Sequence, residues 1–159
     1  MRYRVLSLFA MFCASSTAAD TYSGPKPPKP DVPYLVHADN LIETEGADAR
    51  EDNRKGDVTY TIPGASSPAR TPLSEPIFII QTKQLVADRI ELYKLDVKNG
   101  QREITMTQKR KKSGARPIHV MVTRLGDQLY RIEADEQLEN GEYSLSPNDS
   151  NRVFCFEVY

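Results

Sequence analysis

Apolar and polar residues alternate with a period of two along much of this chain, and no long stretch carries a helical period. Val58, Tyr60 and Ile62 alternate with Thr59 and Thr61, which predicts a half-buried strand ended by Pro63-Gly64. Residues 34–42 (YLVHADNLI) read as a first strand. Residues 76–80 (PIFII) are apolar at consecutive positions, which predicts a strand covered on both faces. Leu85 to Asp88 has room for a short helical turn.

The sharpest local signal is Asn99-Gly100. Both residues accept a positive φ, so the pair favours a type I′ turn. It predicts a hairpin of 90–98 with 101–108 in which Val97 faces Arg102, Leu95 faces Ile104 and Tyr93 faces Met106. Two of those pairs are apolar on both sides, so turn and pattern agree. A second hairpin joins 117–125 to 129–135 around Gly126-Asp127-Gln128. A two-residue turn sets Val122 against Arg131, whereas a three-residue loop sets Val122 against Ile132 and Val120 against Ala134. The second register keeps one face apolar and is preferred, with a bulge at or beside Gly126. In the last strand, 153–158, Phe154, Phe156 and Val158 share one face, after a turn at Pro147 to Ser150.

About eight or nine short strands separated by turns predict an all-β, antiparallel β-sandwich over residues 34–159. Three stretches between strands are expected to be connections. Residues 43–57 (ETEGADAREDNRKGD) mix both charges and read as a solvated loop. A calcium site on Glu43, Glu45, Asp48, Glu51 and Asp52 is disfavoured by the absent EF-hand spacing and by Arg50, Arg54 and Lys55. Residues 64–76 are proline-rich. Residues 109–116 (KRKKSGAR) hold the strongest basic run, so Lys109, Arg110, Lys111, Lys112 and Arg116 form a candidate partner-contact loop; a charged loop keeping a sheet end soluble is the alternative.

The run Leu138-Glu139-Asn140-Gly141-Glu142-Tyr143-Ser144-Leu145 resembles the tyrosine corner of immunoglobulin-like and fibronectin type III-like sandwiches. That resemblance implies that the Tyr143 ring packs in the core, that its hydroxyl ties back to nearby backbone, and that Leu138 and Gly141 support the corner. An ordinary turn before an ordinary strand is the plainer reading of Gly141. The C-terminal run from Leu138 to Tyr159 also resembles β-domains of exported bacterial proteins, which implies a location and a fold but no activity.

The N-terminus changes the picture most. Arg2 and Arg4 precede an apolar run, Val5 to Ala14, and Thr17-Ala18-Ala19 offers small residues to a signal peptidase. A cut one residue earlier is the variant, and a buried strand or an uncleaved anchor the alternative. The run is shorter than the roughly 20 residues a bilayer needs. Phe12 and Met11 before Cys13 disfavour a lipoprotein site. Residues 1–19 are therefore expected to be a cleaved signal peptide, and the protein to be periplasmic or extracellular. Residues 20–33 carry five prolines and read as an extended linker.

Removing the signal takes two of the chain's 21 basic residues and none of its 22 acidic ones, leaving a slightly acidic domain. That balance argues against nucleic acid as a partner. Cys155 is left without an intramolecular partner, and a half-buried inert thiol is the expected state, with an intermolecular disulfide as the alternative. Two histidines, His37 and His119, and no G-x-S-x-G or HExxH motif give no expectation of catalysis, of a metal or of a cofactor. The functional expectation is an exported, non-enzymatic binding or structural module meeting an envelope component or another protein, with its oligomeric state open. A carbohydrate- or peptidoglycan-binding module is the alternative, weakened by the absence of Trp and sustained by eight Tyr. A small hydrolase is the third reading.

Overall fold

The computed structural model describes residues 22–54, 56–107 and 115–159. The expected signal peptide and the basic residues Lys109, Arg110, Lys111 and Lys112 lie outside them. Among the described residues are thirteen strands and one 3-10 turn at Ala87–Arg89, so the protein is all-β. The strands are β1 (Tyr34–His37), β2 (Asn40–Glu43), β3 (Glu45–Asp48), β4 (Arg50–Arg54), β5 (Asp57–Pro63), β6 (Arg70–Thr71) and β7 (Ile77–Gln81). They continue with β8 (Ile90–Lys98), β9 (Gln101–Thr107), β10 (Val120–Gly126), β11 (Leu129–Ala134), β12 (Gly141–Pro147) and β13 (Arg152–Val158).

They form two sheets. The smaller has the order β10-β11-β7-β1-β2. The larger runs β3-β13-β12-β8-β9-β5-β4, with β6 added in parallel to the end of β13; every other pairing is antiparallel. The sheets face each other over a core that includes Leu35, Phe78, Ile80, Leu92, Ile132, Leu145 and Phe156. The Phe78 and Phe156 rings lie 4.8 Å apart between centroids, tilted by 59°.

The larger sheet has a second core. Its outermost strands, β3 and β4, are consecutive in the chain, separated only by Ala49. Ala49 is buried, and its N–H donates to the Asn151 carbonyl at 2.8 Å. One extended segment thus forms both margins, and the sheet closes on itself. The enclosed core comprises Ala49, Ile62, Tyr93, Leu95, Ile104, Val153 and Cys155. Strands β8 and β13 face both cores, with Leu92, Phe154 and Phe156 on one side and Tyr93, Leu95, Val153 and Cys155 on the other.

The closure corrects the reading of residues 43–57 as a solvated loop. Glu45 and Ala47 pair with Cys155 and Val153, and Arg50 to Arg54 pair with Thr61 to Asp57. Small residues at 47 and 49 alternate with charges facing solvent, so the segment forms a strand despite its polarity. Residues 34–42 are likewise a hairpin rather than one strand, turning at Ala38 with φ +50°.

Both predicted registers occur. Asn99 and Gly100 have φ of +52° and +74°, and Val97 pairs with Arg102. That ladder stops at Asp96–Glu103, so Leu95–Ile104 and Tyr93–Met106 are not rungs. The hairpin splays because the returning chain bonds to both arms: Ala115 N–H donates to Thr105 and Ile118 N–H to Leu92. In the second hairpin Val122 pairs with Ile132 and Val120 with Ala134, with the irregularity between Arg124 and Gly126.

The second half of the proline-rich N-terminal segment packs on the smaller sheet rather than hanging as a free linker. Pro27 and Pro33 are buried. The Asp31 N–H donates to Gln81, and the Asp31 carboxylate accepts from the N–H groups of Lys83, Gln84 and Leu85 at 2.8–3.0 Å. Among the described residues no helix is long and apolar enough to cross a membrane.

Candidate functional site

The closed sheet has two ends of different chemistry. Along β9, Arg102, Ile104 and Met106 share the inner face and run from one end to the other. Arg102 is fully buried. Its guanidinium forks onto Glu45 at 2.6 and 2.9 Å, and also donates to the carbonyls of Pro63 and Gly64. The Glu142 carboxylate lies 3.6 Å away and accepts the Ser67 N–H at 3.0 Å. Burial opposes charge on Arg102, but Glu45 outweighs it, so the guanidinium stays charged. On Glu142 burial wins over Ser67 and Arg102, and its carboxyl is pushed above the ordinary glutamate value.

Residues 64–76 close this end. Ser67 and Thr71 are buried, the Ser67 hydroxyl donates to the Cys155 carbonyl, and backbone bonds join Ala69 to Glu157 and Thr71 to Tyr159. The segment is therefore part of the structural wall and not a free contact loop. The Cys155 thiol lies in the same interior, fully buried rather than half-buried, and burial pushes its pKa up to about 12.

The opposite end is open. A cavity of about 250 Å³ enters the second core there. Tyr60, Ile62, Ile104, Met106 and Val153 make its apolar wall. Ser144 and Ser146, whose hydroxyls bond to each other at 3.1 Å, project from β12. The turn from Asn148 to Asn151 forms the rim, held by bonds of the Asn148 N–H to Arg89 and of Ala49 to Asn151. Glu91 stands at the wall and accepts a bond from the Tyr93 hydroxyl at 2.5 Å. Burial, then that bond, raise the Tyr93 pKa, so the phenol stays protonated as the donor.

Of the residues singled out by sequence, Tyr143 is buried, stacks on Phe156 at 5.5 Å, and donates its hydroxyl to the Glu139 carbonyl at 2.7 Å. Leu138 is buried in the main core. Gly141 opens β12 with φ +155°, and a Cβ there would meet Lys94 Cε at 3.3 Å. Arg116 is exposed. His37 is exposed at a hairpin end, and His119 is exposed and bonds Asp135 through Nδ1 at 2.9 Å. Neither histidine lines the cavity.

Glu91, Tyr93, Tyr60 and Arg102 were not singled out by sequence. Arg102 carried a signal, since it shares the inner face of β9 with Ile104 and Met106. The cavity carried none, because it is assembled from five separated stretches of chain. Set against protein-family models, curated proteins and solved structures, the chain matches none of them.

Proposed function

We propose that this chain is an exported, non-catalytic binding module whose binding site is the open mouth of the closed sheet. The observation that carries the reading is the cavity of about 250 Å³, with an apolar wall and a few convergent polar groups at its rim. Mouths of closed sheets are recurrent places for such sites, because the strands fix the walls while the end turns are free to vary. The segments read from sequence as connections, 43–57 and 64–76, are built into the wall and the closed end, and the mouth is a concave surface that the fold leaves open. The basic run with Arg116 supports a second contact, with an acidic surface of an envelope component or protein partner. The tyrosine corner supports kinship with immunoglobulin-like sandwiches, to which the closed sheet is an addition.

The carbohydrate reading loses support from the placement of the tyrosines. Tyr34 and Tyr143 are buried, and Tyr60 and Tyr93 line the mouth rather than an open sheet face.

Two measurements test the proposal. Fractionation with N-terminal sequencing is expected to find the protein outside the cytoplasm and starting at Asp20 or one residue earlier; an uncut cytoplasmic chain refutes export. A small-molecule thermal-shift screen is expected to find ligands that stabilise the parent but not Ser146→Phe, in which the ring fills the mouth. Ligands that stabilise both equally, or none at all, refute the site.

A further inference from the structure

Among the described residues, the charges at the mouth are one-sided. Glu91 and Asp149 line it, and no Lys, Arg or His is among its described lining residues. The contrast with the closed end is informative, since there Arg102 takes the Glu45 carboxylate in a two-pronged pair. Among the described residues Glu91 has no such cation. Within them it accepts from the Tyr93 hydroxyl alone. A carboxylate offers about four lone-pair sites, so most of its acceptor capacity is left untaken by the described residues.

The aromatic content points the same way. Tyr60 and Tyr93 both line the space, and the faces of such rings attract cations. Size sets the other limit. A cavity of about 150 Å³ holds a benzene ring. At about 250 Å³ this one takes a ring with a short arm, and is too small for an oligosaccharide.

We propose that the mouth binds a small organic cation, an ammonium group carried on a compact apolar body. This rests on the reading of the mouth as the binding site and adds its ligand class. The ammonium sits against the Glu91 carboxylate, near the Tyr93 ring. The apolar body covers Ile104, Met106 and Val153. Asp149, on the exposed rim, adds a longer-range attraction that salt screens.

The test uses three probes of nearly equal shape: phenethylammonium, phenethyl alcohol and phenylacetate. Each is titrated into the purified protein while backbone amide shifts are followed. The expected result is saturable shifts at Tyr60, Met106 and Val153, with the ammonium bound about tenfold more tightly than the alcohol, as a charge-assisted bond at a half-buried site implies. Glu91→Gln is expected to remove that advantage and leave the alcohol unchanged. The amide oxygen still accepts from Tyr93, so the variant keeps the fold, and an unchanged spectrum away from the mouth verifies this. Equal binding of ammonium and alcohol, or tightest binding of phenylacetate, at those same residues overturns the cation assignment while the cavity stands as a site. If no probe moves those three residues at any millimolar concentration, both the ligand class and the site fall.

Discussion

Replacing Glu45 by Ala strips the buried Arg102 guanidinium of its two-pronged partner. Removing one member of a buried ion pair costs about 3–5 kcal/mol, because the remaining charge is left in a poorly polarisable interior. Two features of this site lower that figure. The Glu45 side chain is 27% exposed, so water reaches part of the gap, and the Glu142 carboxylate remains 3.6 Å from the guanidinium. The bonds to the Pro63 and Gly64 carbonyls also survive. The expected cost is therefore about 2–3 kcal/mol, a large fraction of the 5–15 kcal/mol that holds a typical domain together. Arg102→Met should cost about 3 kcal/mol, since Glu45 and two carbonyls lose their donor and Glu142 loses its nearby positive charge. The double variant should cost about as much as Arg102→Met alone, because Glu45 has nothing left to hold, which corresponds to a coupling of about 2 kcal/mol. Urea unfolding followed by far-ultraviolet circular dichroism measures all four proteins, with the midpoint read at a constant m-value. A Glu45→Ala protein within about 0.5 kcal/mol of the parent, or strictly additive single costs, would refute the buried pair as a lock on the closed end.

Four further predictions follow from local geometry. Burial raises the Glu142 carboxyl, so the folded state binds its proton more tightly than the unfolded chain and stability declines as pH rises from the ordinary glutamate value of 4.5 toward the raised one. Glu142→Gln should flatten that decline, and stability curves of parallel slope across this window would contradict the assignment. Asp31→Ala removes the acceptor for three backbone N–H groups and should cost about 1 kcal/mol while exposing residues 22–33 to protease; cleavage at the parental rate would count against the docked segment. Tyr143→Phe keeps the stacked ring but drops the bond to Glu139, for an expected loss of about 1 kcal/mol in thermal unfolding; no loss would deny the corner a stabilising role. The Cys155 thiol, buried and with its pKa at about 12, should react with a disulfide reagent only after denaturation; rapid labelling of the folded protein would show that the second core opens.

Much of the fold was legible wherever the information was local. Asn99-Gly100 set a turn and its first rungs because backbone freedom at two adjacent residues decides them. The pairing of Val122 with Ile132 followed from keeping one face apolar. The strands at 45–54 were hidden for the opposite reason. Glu45 is tolerated on an inner face only because Arg102 meets it from 57 residues away, and no local pattern announces that partner. The docking of Asp31 is hidden in the same manner, since its partners are the backbone N–H groups of residues 83–85. The mouth gathers Tyr60, Glu91, Met106 and the turn at 148–151, none of which is unusual in its own neighbourhood.

Strand β13 is the last of the described strands in chain order, yet it lies inside the larger sheet and walls both cores. Glu45 waits for Cys155, and Arg70 waits for Glu157. The strand supplies Phe154, Phe156 and Val158 to one core and Val153 and Cys155 to the other, so both cores are completed by the same long-range pairings. Unzipping this single strand would therefore open both cores at once, so the two halves of the protein lose their stability together.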